Sequence, residues 1–130
     1  MIVLDYRDKR PLYEQVAEKL EHLIVCGALE SNSKLPSVRS LAMDLLVNPN
    51  TIQRAYNQLE QEGYIYTVVG RGNYVTDSSE WRTGKLHSLT EELTGQITKA
   101  AELGLPRDTM LVIVKTVYDS IESKEVPSHD

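Results

Sequence analysis

The segment Leu46-Val47-Asn48-Pro49-Asn50 constrains this chain more than any other. An asparagine side chain can accept from the free N–H groups at a helix start. Proline at the next position loses nothing there, because the first N–H groups of a helix lack partners in any case. Asn48-Pro49 therefore starts a helix, and it does so directly after Val38, Leu41, Ala42 and Leu45, an apolar stripe of helical spacing. Ser37 stands where a hydroxyl can cap that earlier helix. Ile52, Ala55, Tyr56 and Leu59 give the later one its apolar face, and Gly63 ends it. Two short helices joined by a tight turn, the second opening on small polar side chains, form a helix-turn-helix unit.

The flanks extend this unit. Upstream, polar residues 5–10 lead into Pro11-Leu12-Tyr13-Glu14-Gln15. Leu12, Val16, Leu20, Leu23 and Ile24 then recur at helical spacing as far as Gly27, a natural αL stop. Residues 28–36 read as a connector turning at Ser31-Asn32-Ser33. Downstream, β-branched and aromatic residues over 64–69, the turn Gly70-Arg71-Gly72 and a second short strand over 73–76 describe a hairpin. An arginine between glycines at its tip gives it the form of a wing.

Beyond Asp77 the pattern changes. Ser78-Ser79-Glu80 reads as a hinge, followed by a long helix with Leu86, Leu89, Leu93, Ile97 and Ala100 or Ala101 on one side. Leu105-Pro106-Arg107-Asp108 breaks it. A last segment over 109–123 carries Met110, Leu111, Val112, Ile113 and Val114, then Val117, Tyr118 and Ile121. Its β-branched content suits a strand, but its length and spacings of three and four favour a helix. Residues 125–130 read as a frayed tail. The expected fold is mainly α with a small β hairpin: a winged helix-turn-helix over 1–77, then a C-terminal two-helix segment over 78–130. That helical pair is too small to build its own core. It must bury its stripe against the winged domain or a second copy of the chain, and the second copy is the favoured reading, with Leu86, Leu89, Leu93, Ile97, Met110, Ile113, Val114, Val117 and Ile121 as dimerisation residues.

With 130 residues, 41% of them hydrophobic, the chain has room for one small domain plus an appendage and enough apolar material to fold. The single cysteine, Cys26, forbids an intramolecular disulfide and suits a reducing compartment; its apolar run Leu23-Ile24-Val25-Cys26 suggests burial. No apolar stretch approaches the ~20 residues that span a bilayer. Met1-Ile2-Val3-Leu4-Asp5 lacks the pattern of a signal peptide, so a cytoplasmic location is expected. His22, His87 and His129 are widely separated, none at metal-ligand spacing from Cys26, and no phosphate-binding glycine loop is present. An enzyme, a metal site and a cofactor are accordingly not expected.

Taken in order, several blocks of this chain resemble the DNA-binding domain of the GntR superfamily of bacterial transcription regulators. They are Pro11-Leu12-Tyr13-Glu14-Gln15, Leu35-Pro36-Ser37-Val38-Arg39-Ser40-Leu41-Ala42, Asn48-Pro49-Asn50-Thr51-Ile52 with Arg54-Ala55-Tyr56, Leu59-Glu60-Gln61-Glu62-Gly63, and Gly70-Arg71-Gly72-Asn73-Tyr74-Val75. The Asn-Pro-Asn-Thr turn and the short helical tail are similar to the small YtrA-type subgroup. The resemblance implies a homodimer on a near-palindromic operator, commonly a repressor. Many members carry arginines where this chain has Pro49 and Gln53, so base preferences of larger relatives do not transfer.

The net charge of -5 and pI near 5.2 oppose nucleic-acid binding at first sight. Only charges on the contacting face act at short range, however, and salt screens the rest. The acidity predicts weak non-specific binding and dependence on a few contacts. A recognition helix reads base edges with its first turns. The side chains pointing away from the apolar stripe are Asn50, Thr51, Gln53, Arg54 and Asn57. Gln53 or Asn50 could pair with adenine, Arg54 with guanine or phosphate, and Thr51 with phosphate. Arg39 matches a family position that contacts DNA. Arg71, with Gly72 beside it, suits the minor groove or the adjacent backbone. Tyr13 and Ser37 are further phosphate candidates, while Asn48 reads as a cap alone. The expected partners are double-stranded DNA and a second copy of the chain. An unidentified small-molecule effector between the dimer's helices is compatible with the pattern, but no convergent polar set names its site. The competing reading is a winged-helix protein-interaction module without DNA, favoured by the net negative charge.

Overall fold

The structure, a computed structural model, describes residues 2–125. Among the described residues five helices and one hairpin follow in the order α1 (Leu12–Val25), α2 (Val38–Leu45), α3 (Pro49–Gln61), β1 (Ile65–Val68), β2 (Gly72–Val75), α4 (Ser78–Glu102) and α5 (Arg107–Glu125). The backbone divides into two compact units, Met1–Lys85 and Leu86–Asp130. The mainly helical class with a single small hairpin is the one the sequence pattern implies.

In the first unit the helix boundaries follow local chemistry. The Ser37 hydroxyl accepts the Ser40 N–H at 3.0 Å and starts α2. The Asn48 amide oxygen accepts the Asn50 N–H at 2.8 Å, and Pro49 occupies the first turn of α3. Between them Leu46 takes the left-handed conformation (φ 57°), which turns the chain within a few residues. The core gathers Val16, Leu20 and Ile24 from α1, Leu41 and Ala42 from α2, and Ile52, Ala55, Tyr56 and Leu59 from α3. Ile65 and Val75 close it from the hairpin.

β1 and β2 pair antiparallel from Ile65↔Val75 to Val68↔Gly72. The connector before α2 runs along β2 as a third rung: Lys34 bridges Tyr74, the Leu35 N–H donates to Asn73 O at 2.8 Å, and the Val75 N–H donates to Ser33 O at 2.9 Å. The wing is thereby tied to the lead-in of α2.

The stretch N-terminal to α1 is held by a buried polar clamp. Gln15, 1% exposed, accepts the Asp5 N–H at 2.9 Å and donates to Asp5 O at 3.0 Å and Arg10 O at 3.5 Å. Tyr56 makes a comparable tie, donating its hydroxyl to Pro36 O at 2.7 Å.

Two expectations need correction. Ser78-Ser79-Glu80 is no hinge but the first turn of α4. The Asp77 carboxylate accepts the Ser79 N–H at 2.9 Å and the Ser79 hydroxyl at 2.8 Å, bonds that hold its pKa below the ordinary carboxylate range. The next turn packs on the winged fold. Trp81, 8% exposed, meets Tyr64 edge-on at 5.3 Å, with the Lys85 ammonium 4.6 Å from the Tyr64 ring centroid. Cys26, expected buried, is exposed at the C-cap of α1. A run of four apolar residues wraps around a helix, and only Ile24 of the four is fully buried.

The second unit holds the remainder of α4, a break around Gly104 (φ 99°) and α5. The last segment is thus helical. Leu86, Leu89, Leu93 and Ile97 are exposed on α4, as are Ile113, Val114, Val117 and Ile121 on α5, while Met110 is half-buried. The tail expected to fray lies, from residue 126, outside the described residues. Among the described residues no helix is long and apolar enough to cross a membrane.

Candidate nucleic-acid interface

The buried row Ile52, Ala55, Tyr56 and Leu59 fixes how α3 faces outward. Asn50, Gln53, Arg54 and Asn57 are exposed, and Thr51 is half-buried. From Asn48 to Leu59 this helix and its cap carry one charge, Arg54, and no carboxylate. In an acidic chain that stretch is a local exception. It presents amide donors and acceptors, with a single cation, to whatever approaches.

The exposed side chains make two contacts, one along the helix and one across to α1. The Gln53 amide donates to the Asn57 amide oxygen at 2.9 Å, one turn along the helix. Arg54 turns the other way, toward α1, and lays its guanidinium over the Tyr13 ring at 4.1 Å from the centroid. Tyr13 is half-buried, and its hydroxyl donates to the Glu14 carboxylate at 3.4 Å. Tyr13, Arg54 and Asn57 line one shallow depression together with Gln58 and Gln61.

Ser37 and Arg39, at the start of α2, line another with Ser40, Met43 and Asp44. The Ser37 oxygen is already engaged as the cap, which leaves its hydroxyl proton to donate outward. Arg39 is exposed.

Arg71 projects at the hairpin tip, its N–H donating to Val68 O at 2.9 Å. Gly70 (φ 81°) and Gly72 (φ 125°) carry the backbone around it. A side chain at Gly72 would also crowd the Lys34 side chain, because a Cβ there would lie 3.1 Å from Lys34 Cε. Lys34 is therefore an exposed cation beside the wing that the sequence reading left unassigned. The available signal was its place directly before the Leu35-Pro36-Ser37 block, in a segment read only as connector.

Not every cation of the fold is available. Arg10, ahead of α1, is held by Asp8 at 2.8 Å and Glu18 at 3.0 Å. Its hydrogen bonds hold both carboxyls below the ordinary range. Among the described residues no cluster of three or more His, Cys, Asp or Glu side chains could hold a metal ion.

Residues 12–75 match the family described as bacterial regulatory proteins, gntR family. Over 124 residues the chain is 35% identical to the HTH-type transcriptional repressor YtrA of Bacillus subtilis, covering 94% of this chain and 95% of that one. A solved GntR family transcriptional regulator from Listeria monocytogenes superposes with a TM-score of 0.68 at 38% identity, over 87% of this chain and 98% of the other. The crystal structure of AraR(DBD) in complex with operator ORE1 is similar over 58% of this chain and 93% of that one, with a TM-score of 0.51 at 29% identity.

Proposed function

Because the chain belongs to the gntR family of bacterial regulatory proteins, we propose that it is a sequence-specific DNA-binding transcription regulator acting as a homodimer, as a repressor, on a near-palindromic operator. The observation that carries this reading is the outward face of α3. Asn50, Gln53, Arg54 and Asn57 are exposed on a helix whose stretch from Asn48 to Leu59 bears no carboxylate. Amide side chains of this kind can pair with the N6 and N7 edge of adenine in the major groove, and arginine with guanine or phosphate. Thr51 and Ser37 would hold phosphates beside helix starts, where free N–H groups and the helix dipole favour anions. Arg39 would anchor α2 on the backbone, and Arg71, with Gly72 allowing close approach, would reach the minor groove or its phosphates.

The dimer reading rests on the second unit. Its apolar rows, Leu86, Leu89, Leu93 and Ile97 on α4 and Met110, Ile113, Val114, Val117 and Ile121 on α5, are largely solvent-facing in the single chain, and a second copy would cover them. Within residues 78–130 the dimerising role falls to the part beyond Lys85, since Ser78–Lys85 belongs to the first unit. Two reading heads about one DNA turn apart, ~34 Å, would occlude a promoter sterically. Pairing also doubles the phosphate contacts, which a protomer of net charge -5 needs. Such a regulator works beside the chromosome, so the reading requires a cytoplasmic protein.

Selection of bound sequences from a random duplex pool tests this directly, since operator, symmetry and half-site spacing emerge together. An Arg39/Arg54/Arg71 triple alanine variant should lose binding while sedimenting as a dimer. The acidic balance favours a protein-interaction module instead, and that reading predicts no selected sequence and no effect of the triple variant on partner capture.

A further inference from the structure

Arg54 is the single cation of the exposed α3 face, and its partner is an aromatic ring rather than an acid. Its guanidinium sits 4.1 Å from the Tyr13 centroid, and among the described residues no carboxylate pairs with it. The contrast with Arg10, whose donors are taken by two carboxylates, is instructive. Guanidinium donates through N–H groups in its own plane, whereas it meets an aromatic ring through its face. An ion pair occupies the donors; a stacked ring leaves them free. The ring in turn is held by the scaffold. Tyr13 stands in the first turn of α1, half-buried, just ahead of the fully buried Gln15, Val16 and Ala17.

We infer that Tyr13 is a positioning residue for Arg54, its ring holding the guanidinium with donors outward for a pair of acceptor oxygens or nitrogens on DNA. This rests on the DNA-binding reading above and replaces the direct phosphate contact expected of Tyr13, because its hydroxyl already donates to the Glu14 carboxylate at 3.4 Å and only its ring is left to act. An arginine already held loses less rotamer freedom on binding than one free in solvent. The paired acceptors are two phosphate oxygens or guanine O6 and N7, and the two sources differ in what Arg54 removal does. A phosphate contact weakens all sequences alike and lowers the salt slope by about one, whereas a guanine contact relaxes preference at one base pair.

The test uses the full chain and a fluorescein-labelled duplex carrying the sequence it selects from a random pool, read by polarisation across a salt series. Tyr13→Phe keeps the ring and should bind within twofold of the parent. Tyr13→Leu removes the π face and should weaken binding about two- to fivefold, the range of an exposed cation–π contact. With Arg54→Ala already present, Tyr13→Leu should cost nothing more. In the free protein, the Arg54 Nε–H proton should carry a ring-current shift that Tyr13→Phe retains and Tyr13→Leu loses. Four results would overturn the inference: full affinity in Tyr13→Leu, equal loss in Tyr13→Phe, additive loss in the double variant, or no ring-current shift in the parent. All four leave DNA binding itself intact. Failure to select any duplex would instead sink the DNA reading, and this inference with it.

Discussion

Replacing Gln15 by glutamate changes one atom of a buried clamp from donor to acceptor, and the structure sets bounds on the cost. The side chain is 1% exposed. Its oxygen accepts the Asp5 N–H, a bond a carboxylate keeps, but its nitrogen donates to the carbonyls of Asp5 at 3.0 Å and Arg10 at 3.5 Å. In Gln15→Glu those two carbonyls would face a charged oxygen. The folded protein can avoid this by protonating the introduced carboxyl, whose O–H then donates to Asp5 O much as the amide did. Apart from the longer bond to Arg10 O, which a single O–H cannot also make, the cost at pH 7 is therefore capped by the protonation free energy, about 1.36 kcal/mol per pH unit over the ~2.7 units above a reference pKa of ~4.3, or about 3.7 kcal/mol. We expect a deficit of ~2–4 kcal/mol at pH 7, roughly 10–20 °C in the midpoint of a domain this size. The introduced carboxyl has its folded pKa raised, so the charge-dependent part of the deficit is absent below ~4.3 and grows as pH rises. Scanning calorimetry of variant and parent at pH 7, 6, 5 and 4 should show the gap closing by about 1.4 kcal/mol per unit. Gln15→Leu, which orphans the same backbone groups without charge, should show a smaller, pH-independent deficit of ~1–3 kcal/mol. A Gln15→Glu protein as stable as its parent at pH 7, or with a gap unchanged at pH 4, would refute the clamp.

Two other expectations follow from the same geometry. Tyr56→Phe removes the 2.7 Å bond to Pro36 O and should cost ~1 kcal/mol in urea titrations at pH 8. Burial pushes the Tyr56 hydroxyl up to about 12; burial does the same to Tyr64, with help from the Glu21 carboxylate. A raised pKa leaves stability whole below the unfolded value of ~10 and drains it as pH climbs toward 12, so the parent should weaken over that window and Tyr56→Phe less steeply. Gly72→Ala imposes a side chain at φ 125° with its Cβ 3.1 Å from Lys34 Cε. It should cost ~1–3 kcal/mol in thermal melts, with faster hydrogen exchange of hairpin amides, whereas an unchanged melt would show the wing to be more pliable than drawn.

Much of the fold was legible because its boundaries are chemical. Ser37, Asn48 and Pro49 act through their own side chains within three residues, so their roles follow from local sequence, and the α3 stripe follows from period alone. Burial that depends on distant partners did not show. Gln15 sits beside the apolar stripe, and only the returning backbone at Asp5 and Arg10 reveals why it is inside. The Ser78-Ser79-Glu80 turn had a signal that went unread, since Asp77 followed three residues on by Glu80 is a capping pattern. Its serines look like a linker until the Asp77 bonds are seen. For the candidate interface, the outward set on α3 followed from periodicity, but the stacking of Arg54 on Tyr13 joins two helices and lies beyond any local pattern. Lys34 was hidden likewise, because its position depends on the bridge to Tyr74.

Trp81 is the one tryptophan of the chain, packed edge-on against Tyr64 within the Met1–Lys85 unit. Its emission is therefore a built-in gauge of that unit alone, whereas far-ultraviolet dichroism sums the helices of both. Followed side by side through one denaturation, the two signals report whether head and tail melt as a single cooperative body or in succession, with no label added to either.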